Sequence, residues 1–375
     1  MNKCRLLFLS LIASFALSNV NAQVNNPDDV GGTKDVIATG VPFLRITPDA
    51  RGAAMGDVGI ATTADANSVH YNAGKLAFIE DDMGASISYT PWLGKIVNDM
   101  WVGYLSGYYK INKEQTVNLF LRYFDLGSIT FTDESGNYNG ESRPREFAVG
   151  GTYSRMLSDK IGLGITARYI YSNVLDGVAD AVPGNSVSAD IGFYYNNDYM
   201  LKNGKKTNLA LGAAITNIGG KINYGNEDNA SFLPTNLGIG ASYRYHMDPY
   251  NSIAIALDFN KLLVPRDSVD QNISVGAGMI ESFGNGFGDL RTNIGVEYWY
   301  KDIFAGRTGY QYESADAGGR QYVTLGVGFR YQVFGLDMAY LIPTIDREHP
   351  LSETLRFSLL FNFGDRGRVE SIKEN

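Results

Sequence analysis

Ile161-Gly162-Leu163-Gly164-Ile165-Thr166-Ala167-Arg168-Tyr169-Ile170-Tyr171 is the stretch that decides the fold. Ile161, Leu163, Ile165, Ala167, Tyr169 and Tyr171 alternate with Gly162, Gly164, Thr166 and Arg168. Successive side chains of a strand point to opposite faces, so this is a strand with one apolar face and one small, polar or charged face. Val323, Leu325, Val327, Phe329 and Tyr331 alternate in the same way with Thr324, Gly326, Gly328 and Arg330. A soluble sandwich would bury such an apolar face under a second sheet. Here the apolar series often end in tyrosines, as at Tyr169/Tyr171, Tyr243/Tyr245 and Tyr298/Tyr300, where a membrane-interface girdle would lie. The opposite faces carry glycine, serine and threonine, with Arg122, Arg168, Arg244, Asp258, Glu297, Arg330 and Arg356 among them. These are contents suited to a polar lumen, and the pattern predicts an all-β fold, a transmembrane antiparallel β-barrel.

Working outward, the alternation predicts about 14 strands, near 83–92, 98–110, 114–127, 144–157, 160–173, 185–197, 206–217, 234–246, 251–261, 289–300, 303–313, 320–331, 334–342 and 354–363. Connections after even-numbered strands are short, such as Ile111-Asn112-Lys113 and Ser158-Asp159, and those after most odd-numbered strands are long, such as 128–143 and 262–288. Short periplasmic turns and long outer loops have this rhythm. The turn 197–205 is a mild exception. The last strand places Leu355, Phe357, Leu359, Phe361 and Phe363 on one face, an aromatic ending of the kind that barrel-insertion machinery reads.

Residues 1–22 read as a secretory signal peptide, with Lys3 and Arg5 ahead of an apolar run and Val20-Asn21-Ala22 at the cleavage point. Removing them leaves 30 basic against 40 acidic residues, which argues against a nucleic-acid partner. The only cysteine, Cys4, lies ahead of the apolar run, so thiol, disulfide and cysteine-metal chemistry are not expected of the mature chain. The mean hydropathy of −0.15 resembles that of a soluble protein because averaging over lipid-facing and lumen-facing residues hides the apolar face. Residues 23–82 are expected to fill the lumen as an N-terminal plug, ahead of the barrel at 83–364 and a periplasmic tail at 365–375. Asp65 to Phe78 predicts a short helix in that plug, capped by Asp65, with Ala66, Val69, Ala73, Leu76 and Ala77 on one face.

The stretch Pro42-Phe43-Leu44-Arg45-Ile46-Thr47-Pro48-Asp49-Ala50-Arg51, followed by Met55-Gly56-Asp57 and Ala64-Asp65-Ala66-Asn67-Ser68, resembles the N-terminal signature of the PorV (LptO) family. So do Phe232-Leu233-Pro234-Thr235-Asn236-Leu237, Gly278-Met279-Ile280-Glu281-Ser282-Phe283-Gly284 and Glu297-Tyr298-Trp299-Tyr300. That family serves the type IX secretion system in the outer membrane of Bacteroidetes. The resemblance implies a non-enzymatic role: binding the C-terminal domains of secreted cargo, collecting them from a large translocon barrel, and passing them to a sortase-like surface attachment complex that joins cargo to lipopolysaccharide. A wider resemblance is to the FadL-like transporters of hydrophobic molecules, 14-stranded barrels with a plug. Their Asn-Pro-Ala motif falls at Asn72-Ala73-Gly74, where the proline is missing.

Partner binding needs outer loops that expose apolar groups. Three qualify: Trp92 and Leu93; Phe232 and Leu233; and the loop 262–288, where Ile273, Ala277 and Ile280 are expected on one helical face. The alternative is that these loops fold over the barrel mouth and pack on one another or on the plug. Arg45, Asp49, Arg51, Asp57, Asp65 and Asn72 are expected to anchor the plug, the arginines on barrel carboxylates such as Asp258 or Glu297, and the aspartates on lumen arginines, because buried charges persist when paired. Asp133 to Asn139 offers alternate oxygens but lacks the glycine of a calcium loop, so it reads as solvated surface. His70, His246 and His349 accompany no nucleophile elbow. No catalytic residue, cofactor or metal is expected, and a FadL-like carrier or a lipopolysaccharide deacylase stand as the rival functions.

Overall fold

The computed structural model describes residues 37–92, 99–133, 135–177, 181–225, 230–266, 273–286, 288–314, 318–344 and 354–364. The signal-peptide reading, the tail at 365–375 and Leu93 lie outside these residues. All of the described residues belong to one structural unit, Val36–Asn375.

Among the described residues the strands are β1 (Met83–Pro91), β2 (Trp101–Lys110), β3 (Gln115–Asp125), β4 (Ile129–Thr132), β5 (Tyr138–Ser142), β6 (Arg145–Ser158), β7 (Ile161–Asn173), β8 (Gly184–Met200), β9 (Lys206–Gly219), β10 (Asn236–Asp248), β11 (Asn251–Leu262), β12 (Arg291–Tyr300), β13 (Phe304–Glu313), β14 (Gln321–Tyr331), β15 (Phe334–Pro343) and β16 (Leu355–Phe363). Fourteen of them close into one antiparallel barrel, and β4 with β5 forms a separate hairpin. Closure is made by β1 on β16, with Met83 opposite Phe363 and Tyr89 opposite Phe357. No strand edge of the barrel is then left unpaired, which a wall in lipid requires.

The faces sort as the alternation predicts. Ile165 is 59% exposed and Leu119 74%, whereas the neighbouring Thr166 is 2% and Asn118 2%. The apolar side chains look outward and the polar ones inward, the reverse of a soluble sheet and the arrangement of a wall solvated by lipid. Short links at 111–114, 159–160, 249–250 and 332–333 alternate with long ones at 92–100, 174–183, 220–235 and 263–290.

The structure differs from expectation in three local places. The long link after β3 contains the β4–β5 hairpin, whose turn is held by Asp133 Oδ1 accepting from the Ser135 and Asn137 amides at 2.9 and 2.8 Å. The turn after β8 covers only 201–205, because β8 continues to Met200, so the short-and-long rhythm has no exception there. The stretch 65–78 is not one α-helix but two 3-10 turns, Ser68–His70 and Ala73–Phe78. Between them Asn72 is extended at φ −160°, and its side-chain amide donates to the carbonyls of Ile60 (3.1 Å) and Phe193 (2.8 Å) while its carbonyl accepts from the Gly74 amide (3.0 Å). These contacts to the wall win over continued helix. Ala66, Val69, Ala73, Leu76 and Ala77 are nonetheless all buried.

Candidate functional site

Two regions concentrate chemistry: the joint between segment 37–82 and the barrel wall, and the rim of long loops.

At the joint, the segment lies against inward side chains all round the ring. One short helix, α1 (Ala50–Ala54), starts where Asp49 accepts from the Gly52 amide, and the Ala50 amide donates to Ser358 Oγ at 2.8 Å. The Gly56 amide donates to Thr324 Oγ1 (2.8 Å), and the Gly59 and Ile60 amides to Asp258 Oδ2 (2.7 and 2.9 Å). Strand glycines make this approach possible: a Cβ at Gly162 would stand 2.6 Å from the Gly74 carbonyl, and one at Gly295 would stand 2.6 Å from that of Met55. Any side chain there would push backbone from backbone.

Arg51 is the centre of the charged contacts. It donates to both oxygens of Glu297 (2.9 and 3.0 Å) and to Asp65 (2.9 Å). Burial works against its charge, but Glu297 and then Asp65 outweigh that and hold its pKa above the ordinary arginine value. Glu297 also accepts from Arg307 (2.9 Å) and Arg244 (3.1 Å), and Arg307 continues the network to Asp337 and so to Arg330. Arg45 donates to Glu313 at 3.1 Å; burial first, then Arg320 and Arg291, pull its pKa down to about 9. Asp57 accepts from the Tyr322 hydroxyl at 2.5 Å and stands 3.8 Å from Arg356. Asp49 and Asp65 face their own segment rather than a wall arginine: Asp49 accepts from the Tyr71 hydroxyl at 2.7 Å and from Gly52, and Asp65 from Arg51 and the Asn67 amide. Burial, then the Asp65 carboxylate, push Asp49 up to about 6. The wall partners Arg307, Glu313, Tyr322 and Asp337 escaped the sequence reading, although the alternation puts them on inward faces.

At the rim, six of the seven expected loop residues lie among the described residues, Ala277 among them and exposed. Trp92 is half-buried, edge-on to Phe124 with ring centroids 5.9 Å apart. Phe232 is buried with Ile37, Leu262 and Val264, Leu233 with Val41, Phe43 and Ile222. Ile273 packs partly against the Phe232 cluster. A second helix, α2 (Val275–Glu281), begins after Ser274, whose side chain accepts from the Ala277 amide. Ile273 therefore precedes the helix and turns inward, while Ile280 turns out with 77% exposure, so the two do not share a helical face. Phe283, one turn on, is 46% exposed, and Tyr138 at the β4–β5 hairpin is 71% exposed.

A family model described as type IX secretion system protein PorV matches residues 30–269. The chain belongs to the PorV family. It is thus an outer-membrane β-barrel component of type IX secretion, and the matched region takes in segment 37–82, β1 to β11 and the start of the loop that carries α2. No curated protein sequence matches it. Similar solved structures include the Ralstonia pickettii toluene transporter TbuX (10% identity over 84% of this chain and 98% of that one, TM-score 0.46). Others are the Pseudomonas putida toluene transporter TodX (12%, 83% and 96%, 0.48) and a Pseudomonas aeruginosa FadL homologue (11%, 85% and 99%, 0.43). PorV-family membership, rather than these distant likenesses, bears on what the barrel does.

Proposed function

We propose that this PorV-family barrel is a carrier rather than a conduit. Exported by a cleaved signal peptide and held in the outer membrane among lipid and lipopolysaccharide, it binds the C-terminal domains of secreted cargo at its outer rim. It receives them from the large translocon barrel and releases them to a sortase-like surface attachment complex. Segment 37–82 acts as a plug anchored by Arg45, Arg51, Asp57 and Asn72, so the wall serves as a membrane anchor and no substrate crosses it. No catalytic step is assigned to the chain.

The observation that carries this reading is the α2 loop. Val275 and Ile273 fasten it to buried Phe232 and Val264, while Ile280 and Phe283 project outward. Exposed apolar groups on a fixed base lose little freedom on docking and so favour partner binding. A FadL-like transporter of hydrophobic molecules would need an apolar path from the loops inward, and the arginines and carboxylates at the joint count against one. Purification of the native protein in mild detergent, followed by mass spectrometry, tests the proposal. Recovery of the translocon barrel and cargo C-terminal domains is expected; recovery of fatty acids alone, with secretion intact in a deletion strain, contradicts it.

A further inference from the structure

Two adjoining cavities lie between segment 37–82 and the wall, of about 60 and 210 Å3. They share Arg45 and Arg291; the smaller adds Arg122 and Arg168, and the larger adds Arg320 and Arg356. Six guanidinium groups therefore face them, against two lining carboxylates, Asp57 and Asp258. Partners outside the lining neutralise only part of the excess. Glu313 is shared by Arg45 and Arg320, and Asp190 serves Arg168. Four carboxylates then stand against six arginines, which leaves two positive charges uncompensated.

Among the described residues, two of the six arginines meet no carboxylate at all. Arg122, 4% exposed, donates to the carbonyls of Phe43 (3.0 Å) and Leu44 (2.7 Å) and lies 2.8 Å from His70 Nδ1, but meets no carboxylate. Arg291, a half-buried residue, makes no side-chain hydrogen bond or ion pair among the described residues, and its enclosed Nε meets no acceptor. Burial, then Arg122, Arg168 and Arg291, depress the pKa of His70, so the imidazole is neutral and accepts from Arg122. Buried cations without counter-charge are costly and normally persist only when paired. The smaller cavity is several times the roughly 10–15 Å3 that one water needs.

We infer that these cavities form a binding site for a small oxyanion of the phosphate or carboxylate type, held by Arg291 and Arg122 where the N-terminal segment meets the wall. Arginine forks match the paired oxygens of either group. The bound anion would complete the charge balance and tie the segment to the barrel, independently of whether the rim carries cargo.

The test uses the full mature chain in detergent micelles, with inorganic phosphate and acetate titrated separately against chloride at constant ionic strength. One or both are expected to raise the unfolding temperature saturably, and the arm that saturates at lower concentration assigns the oxyanion. Arg291→Gln removes no hydrogen bond among the described residues, so the anion-free variant should unfold no earlier than wild type. Its half-saturating anion concentration should rise at least about tenfold, the loss of one charge-assisted contact. A wild-type protein that responds to phosphate and acetate no more than to chloride overturns the inference, whatever the variant does. So does an Arg291→Gln protein that binds with unchanged affinity.

Discussion

The joint and the rim are built from the same chain by opposite means. At the joint, segment 37–82 meets the wall through buried ion pairs, backbone amides aimed at fixed acceptors and glycines that admit backbone to backbone. At the rim, α2 stands on a small apolar base and offers Ile280 and Phe283 to solvent. The first arrangement leaves little freedom, because each buried charge depends on its partner staying in place. The second leaves apolar surface uncovered at a small cost in stability. The contrast separates a region held by buried charge and close backbone contact from one that leaves apolar side chains exposed.

Breaking the joint should have the largest effect. Glu297→Gln removes the negative charge shared by Arg51, Arg307 and Arg244 and turns one of the two acceptor oxygens into a donor, and loss of one partner in a buried ionic network costs about 3–5 kcal/mol. Urea unfolding of the refolded barrel should show that loss, and an unchanged midpoint would mean the network is not formed. Gly162→Val should come next, since overpacking costs about 1–3 kcal/mol. Faster proteolysis within 37–82, with the strands still protected, is the expected result.

Changes at the rim should leave stability alone. Ile280→Asp with Phe283→Asp is expected to keep the wild-type unfolding midpoint while recovery of cargo C-terminal domains in pull-downs falls at least about tenfold, the size of a hot-spot loss. Equal recovery would remove the functional difference between the two regions. The smallest effect is one of pH. Asp49 has its pKa raised to about 6 from 3.8, so the folded state holds the proton more tightly. Its contribution to stability is full below pH 3.8 and is lost as pH rises through 6. Asp49→Asn should flatten the stability profile between those values, as read by urea midpoints at stepped pH.

The wall was largely legible because a strand's two faces are written in consecutive residues. Ile161 to Tyr171 and Val323 to Tyr331 needed no knowledge of their neighbours, and the strand ends fell within a few residues of those observed. The joint was far less so. Arg51 and Glu297 are 246 residues apart, and Arg45 and Glu313 are 268; ring closure and register bring them together, and neither is encoded locally. The break at Asn72 has the same origin, since the wall carbonyl of Phe193 draws its side chain out of helical geometry. At the rim, the periodicity that grouped Ile273 with Ile280 missed that Ser274 caps the helix one residue later. The capping serine was visible in the sequence and would have separated them.

A photo-crosslinking amino acid placed at position 280 in the native outer membrane tests the central claim most directly, with the lipid-facing position 165 as its control. The account predicts protein adducts at 280 that contain cargo C-terminal domains and the translocon barrel, and none of these at 165. Adducts that are absent at 280, or the same at both positions, would contradict it.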